Sequence, residues 1–335
     1  MVWAVPDTQE PIAPKRLYIR TLLHQEFLSS MSARITSVGL ILQPDPAESF
    51  TYPHHIDRAS IDALPSRPGI YIFRDEQNRP LYIGKSINLR SRVLSHLRTP
   101  EEARMLQQSR YVEFRRTAGD IGALLLESRL IKELQPLHNK KLRRLREMCT
   151  LRLGEDVKAM PEIVYARDHD FAKTGGLYGL FATRRAALDR LREIVERERL
   201  CPAMTGLEAP TRGRACFARQ ISRCLGACTG AESAGEHYQR LKMALEEMRI
   251  VVWPYEGAIG IVEKCDDWKQ THVIDHWFYL GTIDHVAGAP PLHHPARRTF
   301  DVDTYKILVK PMLQGELRIR SVSARFLKNE KQIIV

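Results

Sequence analysis

No stretch of this sequence approaches the roughly 18 apolar residues that a membrane-spanning helix needs. The N-terminus also lacks the basic, apolar and small-residue order of a signal peptide. Both absences point to a soluble cytoplasmic protein without a membrane partner. Its six cysteines are then expected to be reduced unless they bind something. Acidic residues are in deficit, with 40 Asp and Glu against 51 Lys and Arg, for a net charge of +11. Such an excess is what a polyanionic partner, either nucleic acid or an anionic membrane surface, would need, and charge alone fits a solubilising coat equally well. No internal repeat is present. The 335 residues, 44% hydrophobic and 27% charged, suffice for two or three domains with ordinary cores.

The first thirty residues carry no period and precede Met31, the expected native start. Residues 1–58 read as an irregular segment ending in the Pro-, Asp- and Ser-rich "LQPDPAESFTYPHHID". Structure proper is expected from near Leu64. Ile70–Arg74 and Leu81–Gly84 read as strands around the turn "DEQNRP", with a helix from Ile87 to Leu97 and a third strand at Tyr111–Thr117. Thr117 with Asp120 reads as a capping box, opening a helix through Leu134 that Pro136 ends. Residues 59–148 thus form a compact α+β module. Residues 149–230 read as helical and Cys-bearing, with an amphipathic helix at Thr183–Arg199. Residues 231–335 hold a helix around Glu236–Arg249. Strand-rich segments then follow: "IVVWPYEGAIGIVEK", "THVIDHWFYLGTI" and "TYKILVKPML".

The chemistry gathers in the first module. On its first helix Leu89, Val93 and Leu97 make the buried stripe, and Lys85, Asn88, Arg92 and His96 make a polar stripe beside it, as a cleft wall would. On the second helix Glu127 stands among Leu124, Leu130 and Ile131, so its carboxylate projects from the apolar side. An unpaired buried carboxylate costs several kcal/mol, so this one is expected to pair with Arg92 or Lys85 or to bind a metal. Tyr71, Tyr82, Lys85, Arg92, His96 and Glu127, with Asn139 downstream, suit phosphodiester hydrolysis. A divalent ion at Glu127 would polarise the phosphate, Arg92 would clamp its oxygens, and a phenol beside a cation would be lowered towards general-base range.

"GIY" at Gly69–Tyr71 and "YIG" at Tyr82–Gly84, followed in order by Arg92, Glu127 and Asn139, resemble the signature of the GIY-YIG nucleases. "LPSRPGIY", "LYIGKSINLRSRVLSHLRTP" and "GALLLESRLIKELQPLHNK" are similar to the UvrC type, and closer still to the short UvrC homologues of the Cho group. The resemblance implies a small nuclease domain with a three-stranded antiparallel sheet and flanking helices. It implies one Mg²⁺ or Mn²⁺ on Glu127, a transition-state role for Arg92, two tyrosines serving the attacking water, Lys85 tuning a phenol and Asn139 bracing the site. UvrC proteins carry Tyr where this chain has His96. The implied bacterial function is one incision on the 3′ side of a DNA lesion marked by UvrA and UvrB, with induction in the SOS response.

Cys216, Cys224 and Cys228 in "RACFARQISRCLGACTG", with Cys201 upstream, form a metal-site pattern. Four thiolates suit tetrahedral Zn²⁺ or an iron–sulfur cluster; resemblance to the cysteine region of UvrC implies [4Fe–4S]. Arg212, Arg214, Arg219 and Arg223 interleave with these cysteines and, with Asn88 and Arg90, are candidate DNA contacts. Cys149 and Cys265 read as core residues, and His54, His55, His293 and His294 as surface residues. The sequence shows neither the second acidic nuclease site nor the helix-hairpin-helix repeats of UvrC, so a single-cut enzyme without 5′ incision is expected. Ile250–Val335 is the candidate contact for UvrB. A UvrB-independent nuclease and a non-catalytic DNA-binding adaptor are the competing readings.

Overall fold

The computed structural model describes residues 52–139, 148–209, 214–285 and 300–322. Met31, Arg212, His293 and His294 lie outside these ranges.

In chain order the first module comprises α1 (Arg58–Asp62), β1 (Gly69–Arg74), β2 (Pro80–Ser86), α2 (Leu89–Leu97), a 3-10 turn (Pro100–Glu102), α3 (Ala103–Gln108), β3 (Tyr111–Arg116) and α4 (Asp120–Leu134). Its sheet is antiparallel in the order β2-β1-β3, with Tyr71 opposite Gly84 and Phe73 opposite Tyr82. Strand alternation sends Ile70, Ile72 and Ile83 to one face, against Leu130 and Ile131 of α4. Tyr71 and Phe73 point to the other face, against Leu89, Val93 and Leu97 of α2. Each fully buried aliphatic side chain contributes about 1.5–3 kcal/mol, so covering both faces stabilises even this small sheet.

The middle region contains β4 (Cys149–Arg152), β5 (Glu162–Tyr165), β6 (Leu177–Phe181), α5 (Arg184–Arg197), α6 (Phe217–Gln220), a 3-10 turn (Ala227–Thr229) and α7 (Ala234–Glu246). The strands form a sheet ordered β5-β4-β6, covered by Leu191 and Ile194 of α5 and Leu241 and Leu245 of α7. The helical reading of this region did not foresee that sheet, whose strands are too short to display alternation. Thr183 caps α5, and Ser233 with Glu236 closes a capping box on α7.

The last region comprises β7 (Ile259–Cys265), β8 (Trp268–Asp275), β9 (Phe278–Asp284), α8 (Val302–Leu313) and β10 (Ile319–Ser321), with sheet order β10-β7-β8-β9. Two sequence expectations fail here. "TYKILVKPML" is helix, not strand: its buried residues Thr304, Tyr305, Leu308 and Met312 have helical spacing, and Asp301 caps its start. Residues 250–258 are not strand either; Trp253 instead packs edge-to-face on Trp277, with ring centroids 5.1 Å apart.

This sheet docks on α4. Leu125 of α4 shares a core with Ile261, Ile274, Trp277, Tyr305 and Leu308. The expected Thr117–Asp120 capping box does not form: the Thr117 hydroxyl bonds the Gly119 carbonyl. The cap comes from Glu263 of β7, whose carboxylate accepts the N–H groups of Ile121 at 3.0 Å and Gly122 at 2.7 Å. Lys132 near the other end of α4 lies 2.6 Å from Asp301 and 2.7 Å from Asp303. α4 is therefore held by two sheets at once.

Candidate active site

β2 is an outer strand of its sheet, so its outward backbone groups need partners from elsewhere. Asn139 supplies one pair: its Oδ1 accepts the Ile83 N–H and its Nδ2 donates to the Ile83 carbonyl, both at 2.8 Å. Glu127 supplies the next, with Oε1 accepting the Lys85 N–H at 3.1 Å. A helix carboxylate and a loop carboxamide thus replace a neighbouring strand, and both are fixed relative to "YIG".

The glycine of that tripeptide has a packing reason. A Cβ on Gly84 would lie 2.3 Å from the Tyr71 hydroxyl oxygen, because the phenol crosses directly over this position. Tyr71 is 1% exposed, whereas Tyr82 is half-buried, and their ring centroids are 6.2 Å apart. The Tyr71 hydroxyl meets Nε2 of His96 at 2.5 Å, and the Arg92 guanidinium and the Tyr82 phenol lie within its electrostatic reach. His96 is 3% exposed, below the phenols rather than on a cleft wall, and its Nδ1 bonds the Glu102 carboxylate. The expectation of a lowered phenol is not met. Burial pushes both Tyr71 and Tyr82 above the ordinary range, outweighing the opposing effect of Arg92.

Lys85 also departs from its expected place. It belongs to β2 rather than to a helical stripe, and its ammonium lies 2.7 Å from Asp120. Glu127 consequently has no ion pair among the described residues. Burial pushes its carboxyl up to about 7, with Asp120 adding to the rise and the Lys85 N–H and charge opposing it. A half-buried carboxylate with one oxygen on a single backbone donor fits a hard divalent cation that would compensate its charge.

Asn88 caps α2 by accepting the Ser91 N–H at 3.0 Å, and Arg90 donates to the Asp62 carbonyl at 3.0 Å. Arg214, Arg219 and Arg223 are exposed, far along the chain, around the cysteines. There the structure gathers four thiols. Sγ of Cys216 lies 3.7 Å from that of Cys201 and 3.6 Å from that of Cys224, and its N–H points at Cys228 Sγ at 3.5 Å. A tetrahedron of thiolates about 2.3 Å from one ion has edges of roughly 3.8 Å, close to these separations. Cys149 is fully buried as expected, while Cys265 is only half-buried.

Family models match three consecutive stretches. They are the UvrC-like GIY-YIG domain over residues 67–140, the UvrC/Cho excinuclease middle domain over 148–247 and the excinuclease Cho C-terminal domain over 258–325. Excinuclease cho of Escherichia coli (strain K12) is 49% identical over 291 residues, covering 86% of this chain and 96% of that protein. The chain belongs to the Cho excinuclease family. It is a UvrC-like DNA endonuclease of nucleotide excision repair. Excinuclease cho of Salmonella typhi is 48% identical over 280 residues, covering 83% of this chain and 94% of that protein. The magnesium-bound N-terminal GIY-YIG endonuclease domain of UvrC from Thermotoga maritima is 33% identical, covers 24% of this chain and 93% of that domain, and superposes with a TM-score of 0.23.

In this Cho-family chain, three residues escape a reading of the sequence. Glu102 meets His96 only because the 3-10 turn folds back across α2. Asp120 neutralises Lys85 from the first turn of α4, and its acidic position there was read only as part of a cap. Glu263 reaches α4 from a distant strand, and no local signal marks it.

Proposed function

We propose that this Cho-family enzyme hydrolyses one phosphodiester on the 3′ side of a lesion in double-stranded DNA marked by UvrB with UvrA, at the site between β2, α2 and α4. The observation that carries this reading is Glu127, a carboxylate poised near neutrality within electrostatic reach of two phenols. Glu127 would hold Mg²⁺ or Mn²⁺. When bound, the ion supplies positive charge for the phosphate and the leaving oxygen. Arg92, exposed beside the two phenols, grips the non-bridging oxygens as negative charge builds on them. Tyr82, the more accessible phenol, accepts a proton from the attacking water, and Asn139 keeps the edge of β2 from slipping. Lys85 acts through Asp120 and its own N–H to set the place of Glu127.

The test is incision of an end-labelled duplex with one bulky adduct, with and without UvrA, UvrB and ATP. The reading predicts one cut, 3′ of the adduct, only when UvrB is present. Equal cutting of undamaged DNA without UvrB would point to an independent nuclease. No cutting under any condition would favour a binding role.

For the four cysteines, the sulfur separations favour one tetrahedral ion such as Zn²⁺ over the [4Fe–4S] cluster, whose iron corners hold the thiolates farther apart. The metal would staple Arg214, Arg219 and Arg223 into a DNA-backbone contact. Zinc, iron and sulfide content of anaerobically purified protein decides between the two.

A further inference from the structure

The Tyr71 hydroxyl has one hydrogen and two lone pairs; His96 Nε2 lies on it, and the Arg92 guanidinium and the Tyr82 phenol stand beside it. Arg92 can only donate. His96 Nε2, at 2.5 Å, either donates or accepts, and so does the Tyr82 hydroxyl. The choice is made one residue further back. Glu102 bonds His96 Nδ1, and an ionised carboxylate can only accept, so Nδ1 carries the hydrogen and Nε2 of the neutral ring presents a lone pair. Burial lowers the His96 pKa against the pull of Glu102, which favours that neutral ring. Tyr71 then spends its hydrogen on Nε2, which leaves its lone pairs open to accept from the neighbouring Tyr82 hydroxyl. The lone pairs of Tyr82 are left for a water.

We infer that Glu102 is a positioning residue for hydrolysis: by holding His96 as the Nδ1–H tautomer it directs the chain Tyr82→Tyr71→His96 so that protons leave the attacking water along it. The inference rests on the hydrolytic reading above and adds to it a proton path that ends on His96. As the water oxygen bonds phosphorus and the bond to the leaving sugar oxygen breaks, the water proton passes to Tyr82. The Tyr82 proton passes to Tyr71 and the Tyr71 proton to Nε2. The result is an imidazolium against the Glu102 carboxylate, and every phenol keeps one hydrogen. The ring later returns its proton by the same route to solvent, and the leaving sugar oxygen takes its own proton from solvent, so the step balances. The path avoids a free phenolate, which suits phenols that burial makes poor acids. The charged or titratable groups around His96 are Tyr71 from β1, Tyr82 from β2, Arg92 from α2 and Glu102 from the 3-10 turn, with Glu127 of α4 acting on the two phenols.

The test begins on ¹⁵N-histidine-labelled protein, where the His96 ring is assigned by its loss in His96→Tyr. The wild type should show Nδ1 protonated and Nε2 bare. Glu102→Gln, whose amide can donate to Nδ1, should move most of the population to Nε2–H, and Glu102→Asp should restore it. Single-turnover cleavage at saturating Mg²⁺ is the second arm. Glu102→Gln should slow it by at least about tenfold without changing DNA affinity, and in a His96→Tyr background the same change should cost nothing. The wild-type rate should also fall with acid at a pH below the ordinary His range, a limb that His96→Tyr removes. An Nε2–H ring in the wild type, an unmoved tautomer in Glu102→Gln, or equal losses in both backgrounds would overturn the inference. A cut that ignores UvrB or falls on the wrong side of the lesion would instead count against the substrate reading alone, since tautomer and coupling are read separately.

Discussion

Two carboxylates of similar burial touch α4 or its flanks, and they behave oppositely. Glu263 accepts two backbone N–H groups and the His272 ring, and these partners hold its carboxyl below the usual range despite burial. Glu127 accepts one N–H, and burial raises it to about 7. A fully partnered carboxylate is a structural fixture; a partly partnered one retains affinity for a cation. The contrast separates the region proposed to perform the chemistry, between β2, α2 and α4, from the C-terminal sheet that packs on the start of α4.

The largest expected break is Glu127→Gln. Cleavage should fall by at least about 10³-fold with DNA affinity unchanged, while the melting temperature of the metal-free protein stays the same or rises, since a disfavoured charge has been removed. Gly84→Ala comes next. Its methyl would occupy the space of the Tyr71 ring, so single-turnover cleavage should drop by about 10²-fold, and circular dichroism should report an intact fold. Glu263→Gln reverses the pattern of Glu127→Gln. Stability should fall by about 1–3 kcal/mol in chemical denaturation, with only a several-fold loss of rate as α4 loosens. The pH dependence has a definite sign. A folded pKa below the ordinary carboxylate value means that the contribution of Glu263 is present above that ordinary value and lost as pH falls through the folded pKa. Acid unfolding of Glu263→Gln should therefore be shallower than that of the wild type. The smallest effect belongs to Arg219→Ala, which should weaken DNA binding uniformly and lower the salt slope by about 1, with cleavage of bound DNA unaltered.

What could be read in advance follows the same division. The signature tripeptides, Arg92 and Glu127 lie on elements that local pattern defines, so the hairpin, the two helices and the sheet were legible; Asn139, in the loop after α4, is marked only by its place in the signature. The partners of those residues were not. Lys85 turns to Asp120, His96 sinks beneath Tyr71, and Glu102 and Glu263 arrive from a turn and from a distant strand. Such contacts are tertiary, and neither spacing nor propensity encodes them. α8 was misread for a related reason. Its Tyr, Ile and Val content suits a strand, while the spacing of Tyr305, Leu308 and Met312 and the Asp301 cap make it helical.

The most direct measurement is single-turnover cleavage of an adducted, end-labelled duplex loaded with UvrA and UvrB, titrated with Mg²⁺, for wild type and Glu127→Gln. One Mg²⁺-dependent cut in the wild type that disappears in the variant, at equal DNA binding, is the predicted result. Comparable cutting by both proteins would contradict the assignment of Glu127 and with it the site described between β2, α2 and α4.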